Sequence, residues 1–276
     1  MKRPALFSLL LVSGLLMTTR APAMELVVLG SEESRAGTTP GIAVASGGTA
    51  TVDLLIPASV DRANLWFDLR QVSGTMTLPL GEMQPFTGLP MEKSPSDNIA
   101  RVGITVPKLE RKSQIIVRFF LKTEPPVNLG LVRLVVYPPV DWTPLSRRLK
   151  KDGPNLLVFG QEEGLRTFFK SHDIAFADLG GNLPERLENE DLAVGSVTSR
   201  EWNDRKDRLV SEGGRMIALV ADPDALPGVY ATPLGVGMVT KVTLPVLAKL
   251  SSDPRSEELL FQLIEQQLNS APGATP

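Results

Sequence analysis

Four carboxylates, Glu162, Glu163, Asp222 and Asp224, follow two apolar runs, Leu156 to Phe159 and Arg215 to Ala221. If those runs are strands of one sheet, the acids can converge at its edge. Paired carboxylates there could hydrolyse a glycosidic bond or hold calcium. Their spacing matches no calcium loop, and acids at strand ends are common without any chemistry. The segment Gly160-Gln-Glu-Glu-Gly164 stands where open α/β sheets receive ligands. It lacks the G-x-G-x-x-G spacing and the lysine of a phosphate loop, and two glutamates would repel a phosphate. Acids also stabilise a helix start with no ligand present. With Asn182 from the Gly180-Gly181-Asn182 turn, the candidate ligand-binding residues are Gln161, Glu162, Asn182, Asp222 and Asp224. No catalytic residue, metal ligand or cofactor is assigned.

Other reactive types are scarce. The chain has 1 histidine and 0 cysteines, which excludes disulfides, thiolate nucleophiles, zinc fingers and iron–sulfur clusters. His172 stands beside Asp173, but adjacent side chains rarely point the right way for acid–base work. A histidine in the last turn of a helix is favoured by the dipole there. Trp66, Trp142 and Trp202 could offer sugar-stacking platforms; alternation puts Trp66 on the polar side of its run, and helical spacing makes Trp202 half-buried packing.

Lys2 and Arg3, the apolar stretch Ala5 to Met17 and Ala21-Pro22-Ala23 have the form of a signal peptide, residues 1–23. An uncleaved anchor is the other reading of that segment. No later run is long and apolar enough to span a bilayer, so a mature chain without a transmembrane segment, periplasmic or extracellular, is expected. The formal charge is -2; without Lys2, Arg3 and Arg20, 26 basic residues face 31 acidic ones, giving -5. That balance, with no basic cluster carrying interleaved aromatics, argues against nucleic acid.

Positioning these residues requires two kinds of architecture. Residues 24–139 alternate in short runs broken by turns: Glu25 to Leu29, Ala50 to Ile56, Asn64 to Arg70, Thr75 to Leu80, Ala100 to Val106, Gln114 to Lys122 and Val132 to Tyr137. That spacing predicts an all-β antiparallel, immunoglobulin-like sandwich, with Gly81 to Asn98 as a long loop. Residues 140–154, holding Arg147-Arg148-Leu-Lys150-Lys151, read as a solvated linker. Residues 155–269 alternate strands (Leu156 to Phe159, Ile174 to Leu179, Asp191 to Val197, Arg215 to Ala221, Met238 to Leu244) with helices (Glu162 to Ser171, Arg200 to Glu212, Pro254 to Leu268). Ser199 is the expected cap of the second helix and Gly213-Gly214 its end. The pattern predicts a three-layer, doubly wound, mostly parallel α/β sheet, followed by a frayed tail, 270–276.

This second half resembles the class I glutamine amidotransferase-like domains of secreted multidomain bacterial proteins. The resemblance rests on the strand Leu156 to Phe159, on Val210-Ser-Glu-Gly213-Gly214-Arg215-Met216-Ile217 and on Gly235-Val-Gly237-Met-Val239. The active members use a cysteine on a strand-to-helix elbow with a late histidine. Here Ala221-Asp222-Pro223-Asp224 stands after the fourth strand, so the resemblance implies the fold without the chemistry. The expectation is an exported, non-catalytic binding or scaffolding protein of the bacterial envelope with a protein or glycan partner. The alternatives are a carboxylate-dependent hydrolase or accessory module on polysaccharide, and a subunit of an envelope assembly.

Overall fold

A computed structural model describes residues 27–29, 41–57, 59–90, 99–151, 154–221 and 227–269. The expected signal peptide (1–23), the expected frayed tail (270–276), Asp222 and Asp224 lie outside them. The protein is strand-rich, and its several sheets mix parallel and antiparallel pairing.

The first ten strands are β1 (Val27–Leu29), β2 (Ile42–Ala45), β3 (Thr49–Leu55), β4 (Leu65–Ser73), β5 (Met76–Pro79), β6 (Gln84–Pro85), β7 (Leu89–Pro90), β8 (Ile99–Thr105), β9 (Ser113–Leu121) and β10 (Val127–Tyr137). One sheet has the order β1-β3-β8-β7, the other β2-β10-β9-β4-β5, with β6 also paired to β4. Alternation supplies their shared core: Val52, Leu54, Val102 and Ile104 from the first meet Leu65, Phe67, Val117, Phe119 and Leu134 from the second. Each such burial is worth roughly 1.5–3 kcal/mol.

Two expectations change here. The pairing is not wholly antiparallel, because β2 runs parallel to the end of β10, Ile42 opposite Leu134. No hairpin joins these two strands, so the antiparallel rule of tight turns does not bind them. The loop from Gly81 also contributes, since β6 and β7 pair with different sheets and Phe86 between them is buried.

The next elements are α1 (Thr143–Lys151), β11 (Asn155–Phe159), α2 (Glu163–Ser171), β12 (Ala177–Asp178), β13 (Arg186–Glu188), β14 (Asp191–Thr198), α3 (Ser199–Arg205), β15 (Val210–Glu212), β16 (Arg215–Ala221), β17 (Val229–Leu234), β18 (Gly237–Val242), α4 (Val246–Lys249) and α5 (Pro254–Asn269). The six-stranded sheet has the order β12-β11-β14-β16-β18-β17, parallel except for the edge hairpin β17–β18. Strand residues go alternately to two apolar clusters. Leu156, Val158, Leu192, Val194 and Ile217 pack with α2 and α5; Phe159, Ala193, Val197 and Met216 face the other way, with Leu187 and Leu209.

The basic segment expected to be a linker is largely α1. Asp141 accepts the Thr143 N–H at 3.0 Å at its start, and Trp142 and Leu145 are buried in the cluster of α2 and α5. Its cations Arg147, Arg148 and Lys150 are exposed. Arg148, however, donates to Asn269 at 2.7 Å and to the Leu268 carbonyl oxygen at 2.6 Å, and Lys150 pairs with Asp173 at 2.6 Å, so those two are not simply solvated. The helix from Arg200 stops at Arg205, and Val210 to Glu212 instead pairs in parallel with β13, Val210 opposite Arg186. Tertiary pairing overrides helical propensity there. Only Ala177 and Asp178 of the run from Ile174 pair with β11, at the sheet edge.

Candidate functional site

The chain reverses direction of travel across the sheet between β11 and β14. From β11 it passes through α2, whose Leu165 and Phe169 lie on one face, to β12 on the outside. From β14 it passes through α3, whose Trp202 packs on the opposite face, to β16. Diverging crossovers of this kind leave a crevice at the carboxyl ends of the two strands. A cavity of about 240 Å³ lies there. Phe159, Leu183 and Val197 give it an apolar lining; Gln161, Glu162, Ser196, Thr198, Glu201 and Arg205 supply polar groups.

Gly160 makes the crevice possible. Its φ is +91°, a region L side chains rarely adopt. A Cβ there would also collide with the carbonyl oxygen and hydroxyl of Ser196 on β14. The following loop is tied from beneath by Arg166 of α2, which is 6% exposed. Its Nε and terminal nitrogen each donate to Asp178 at 2.8 Å. It also donates to the carbonyl oxygens of Gly160 at 2.7 Å, Gly180 at 3.1 Å and Glu162 at 3.2 Å. One guanidinium therefore fixes both loops flanking the cavity. Hydrogen bonding from Arg166, and then from the Gly180 N–H, holds the Asp178 carboxyl down at about 2.

On the other side, Thr198 and Glu201 form a capping box at the start of α3. The Thr198 hydroxyl accepts the Glu201 N–H at 3.2 Å, and the Glu201 carboxylate accepts the Thr198 N–H at 3.0 Å. The Thr198 N–H, and after it the Thr198 hydroxyl donating to the same carboxylate at 2.9 Å, lower the Glu201 pKa. Across the rim, Glu162 caps α2 without a side-chain hydrogen bond.

Of the expected ligand-binding residues, Gln161 and Glu162 line the cavity. Asn182 is exposed, and it is its neighbours Gly181 and Leu183 that reach the wall. Asp222 and Asp224 lie outside the described residues, and with them the expected convergence of four acids. Sequence reasoning missed Arg166, Asp178, Ser196, Thr198, Glu201 and Arg205. The spacing Thr198-Ser-Arg-Glu201 is a capping-box signature that would have found two of them and moved the cap from Ser199 to Thr198.

His172 stands away from the cavity, as the C-cap of α2. Its Nδ1 is 2.9 Å from the Phe168 carbonyl oxygen, and its ring is 4.2 Å from that of Phe168. Its Nε2 is 3.9 Å from Glu257, which already accepts the Trp142 Nε1–H at 2.9 Å. Trp142 is core, edge-on to Phe168 and Phe261, and no sugar platform. Trp202 is half-buried, as its helical spacing predicts. Among the described residues no group of three or more His, Asp or Glu is placed to hold a metal ion. No helix among them is long and apolar enough to cross a membrane.

No family model and no curated protein matches the chain. Among solved structures, a Niemann-Pick type C2 protein from Japanese carpenter ant is 13% identical, with 41% of this chain and 89% of that one covered, at a TM-score of 0.29. A superoxide reductase (neelaredoxin) from Ignicoccus hospitalis is 11% identical, with 42% and 80% covered, at 0.22. Likenesses this weak carry no functional argument.

Proposed function

We propose that the protein is an exported, non-catalytic binding protein of the bacterial envelope, and that the crevice between β11 and β14 receives a small polar ligand. The carrying observation is the cavity itself, at the strand reversal, with an apolar lining and hydrogen-bonding groups held from both sides by Arg166 and by the Thr198–Glu201 box. In this reading the first half is a two-sheet sandwich and the second a three-layer α/β domain, a relative of the amidotransferase-like domains that lacks their nucleophile. The absence of cysteine supports that reading, as does the place of His172 at the C-terminal end of α2, outside the cavity lining that holds Ser196 and Thr198. The base beside the Thr198 hydroxyl is the Glu201 carboxylate at 2.9 Å, which its own hydrogen bonds make a weaker base than usual. The hydroxyl therefore serves as a hydrogen-bonding group rather than a nucleophile.

Thermal-shift screening of the purified full chain against monosaccharides, free amino acids and dipeptides tests this. A stabilising compound whose effect disappears in Gln161→Ala and Ser196→Val supports the binding role. Hydrolysis of an ester or glycoside that is abolished by Glu162→Gln would replace it with the carboxylate-hydrolase alternative.

A further inference from the structure

The second sheet of the N-terminal part has an outward face whose charge runs against the rest of the molecule. Register puts Trp66, Asp68 and Arg70 of β4 opposite Phe120, Arg118 and Ile116 of β9. Arg133 of β10 stands opposite Ile116 in the next row. The residues between them, among them Phe67, Val117 and Val132, belong to the core, so this set points outward. Lys122 joins the same side, its Nζ 3.8 Å above the Trp66 ring. Among the described residues of these paired strands, Arg70, Arg118, Arg133 and the adjoining Lys122 thus share a face with one acid, Asp68, in a chain whose formal charge is -2.

That acid is a foundation rather than a neutraliser. Asp68 is 7% exposed and is covered by its arginines. Arg118 Nε donates to it at 2.9 Å and a second guanidinium nitrogen also binds it, yet the Arg118 side chain remains 44% exposed. Arg70 is 3.5 Å from the same carboxylate and donates to Thr77 Oγ1 at 3.0 Å. Two guanidinium groups are therefore held in fixed orientations before any ligand arrives, which lowers the ordering cost of binding an anion. Exposed Thr77 and Gln114 add neutral hydrogen-bonding groups in the next row.

We infer that this face binds an acidic polysaccharide, its carboxylates meeting Arg70, Arg118, Lys122 and Arg133 and its hydroxyls meeting Thr77 and Gln114. Charge complementarity selects the anion. The flat setting selects the polymer: these cations lie along paired strands, not on a projecting tip that could enter a bilayer. A single-stranded nucleic acid would call for open rings on which its bases stack, whereas the Trp66 face already carries Lys122. The face ends where α5 abuts it, at Lys112, whose Nζ is 2.7 Å from Glu258 and 4.3 Å from the Tyr137 ring centroid.

The test is binding of the full chain to polygalacturonate, with neutral pullulan and phosphatidylglycerol vesicles in parallel. The expected result is binding to polygalacturonate alone, weakening steeply between about 50 and 200 mM salt. The double variant Lys122→Glu/Arg133→Glu should lose about tenfold or more in affinity at low salt. Both side chains are exposed and outside the core, so the variant should fold, and Gln161→Ala at the cavity should bind normally. No binding at low salt, binding undiminished in the double variant, loss in Gln161→Ala, or binding to vesicles alone would each overturn the inference.

Discussion

Two arginine–aspartate pairs in this molecule are inverted copies of each other. In Asp68–Arg118 the acid is interior and the arginine outside, with side-chain exposures of 9% and 44%. In Arg166–Asp178 the arginine is interior and the acid outside, at 7% and 48%. The first lies on an open strand face; the second lies under two loops. What differs is which charge is removed from water, and that decides what each pair can do. A buried carboxylate accepts only, so it organises arginines that remain available to a ligand. A buried guanidinium has five N–H donors, so beyond its carboxylate it can tie down backbone carbonyls, here those of Gly160, Glu162 and Gly180.

The comparison breaks most visibly at Arg166. Arg166→Met keeps much of the apolar stem but leaves three carbonyls without their donor. The expected cost is about 3 kcal/mol in chemical denaturation, together with loss of any ligand effect at the cavity. Arg166→Lys should recover little, because an ammonium cannot reproduce the fork. A loss below about 1 kcal/mol for Arg166→Met would mean that the loops hold themselves, and that the two pairs are less different than their burial implies.

At the other pair the ranking of partners should reverse. Arg118→Ala strands a buried carboxylate with only Arg70 at 3.5 Å, and should cost about 2 kcal/mol. Asp68→Asn removes the buried charge and leaves its arginines in water, so about 1 kcal/mol is expected. Denaturant midpoints of the two variants, taken side by side, check the order. Equal losses would show that Arg70 takes over from Arg118 and that the face is a three-residue cluster rather than a pair with a neighbour.

Neither pair could be read in the sequence, and the reason is the same in both. The runs Asn64 to Arg70 and Gln114 to Lys122 show where the strands are, because burial imposes a period of two on their apolar residues. The register that puts Asp68 beside Arg118 is a property of two strands together and leaves no mark on either alone. Arg166 reads as an ordinary solvated helix charge next to Leu165, since nothing local shows that two loops close over it. The crevice was half legible: Gln161 and Glu162 follow the first strand, where open sheets receive ligands. Its far wall depended on knowing that β14, not β12, is the inner neighbour of β11. The same blindness explains β15, whose Ser211 is 4% exposed and pairs with Leu187 of β13 in a contact that helical propensity cannot anticipate.

The smallest effect expected is in acid. Both aspartates titrate below the ordinary carboxylate range, for different balances of cause. Burial would push Asp68 up, and its hydrogen bonds and proximity to Arg118 and Arg70 outweigh it. Asp178 is lowered from 3.8 to about 2, chiefly by Arg166. A carboxyl whose folded pKa is depressed adds stability that is present above its unfolded pKa and disappears as pH falls through the folded value. The Asp178 contribution should therefore be whole above about pH 4 and vanish as the pH falls through about 2. Carboxyl NMR titration should place Asp178 near 2 in the native chain. In Arg166→Met it should return to the usual carboxylate range, while Asp68→Asn should leave it untouched. If Asp178 titrates normally in the native chain, the fork is not closed in solution, and Arg166 satisfies its charge on backbone carbonyls alone.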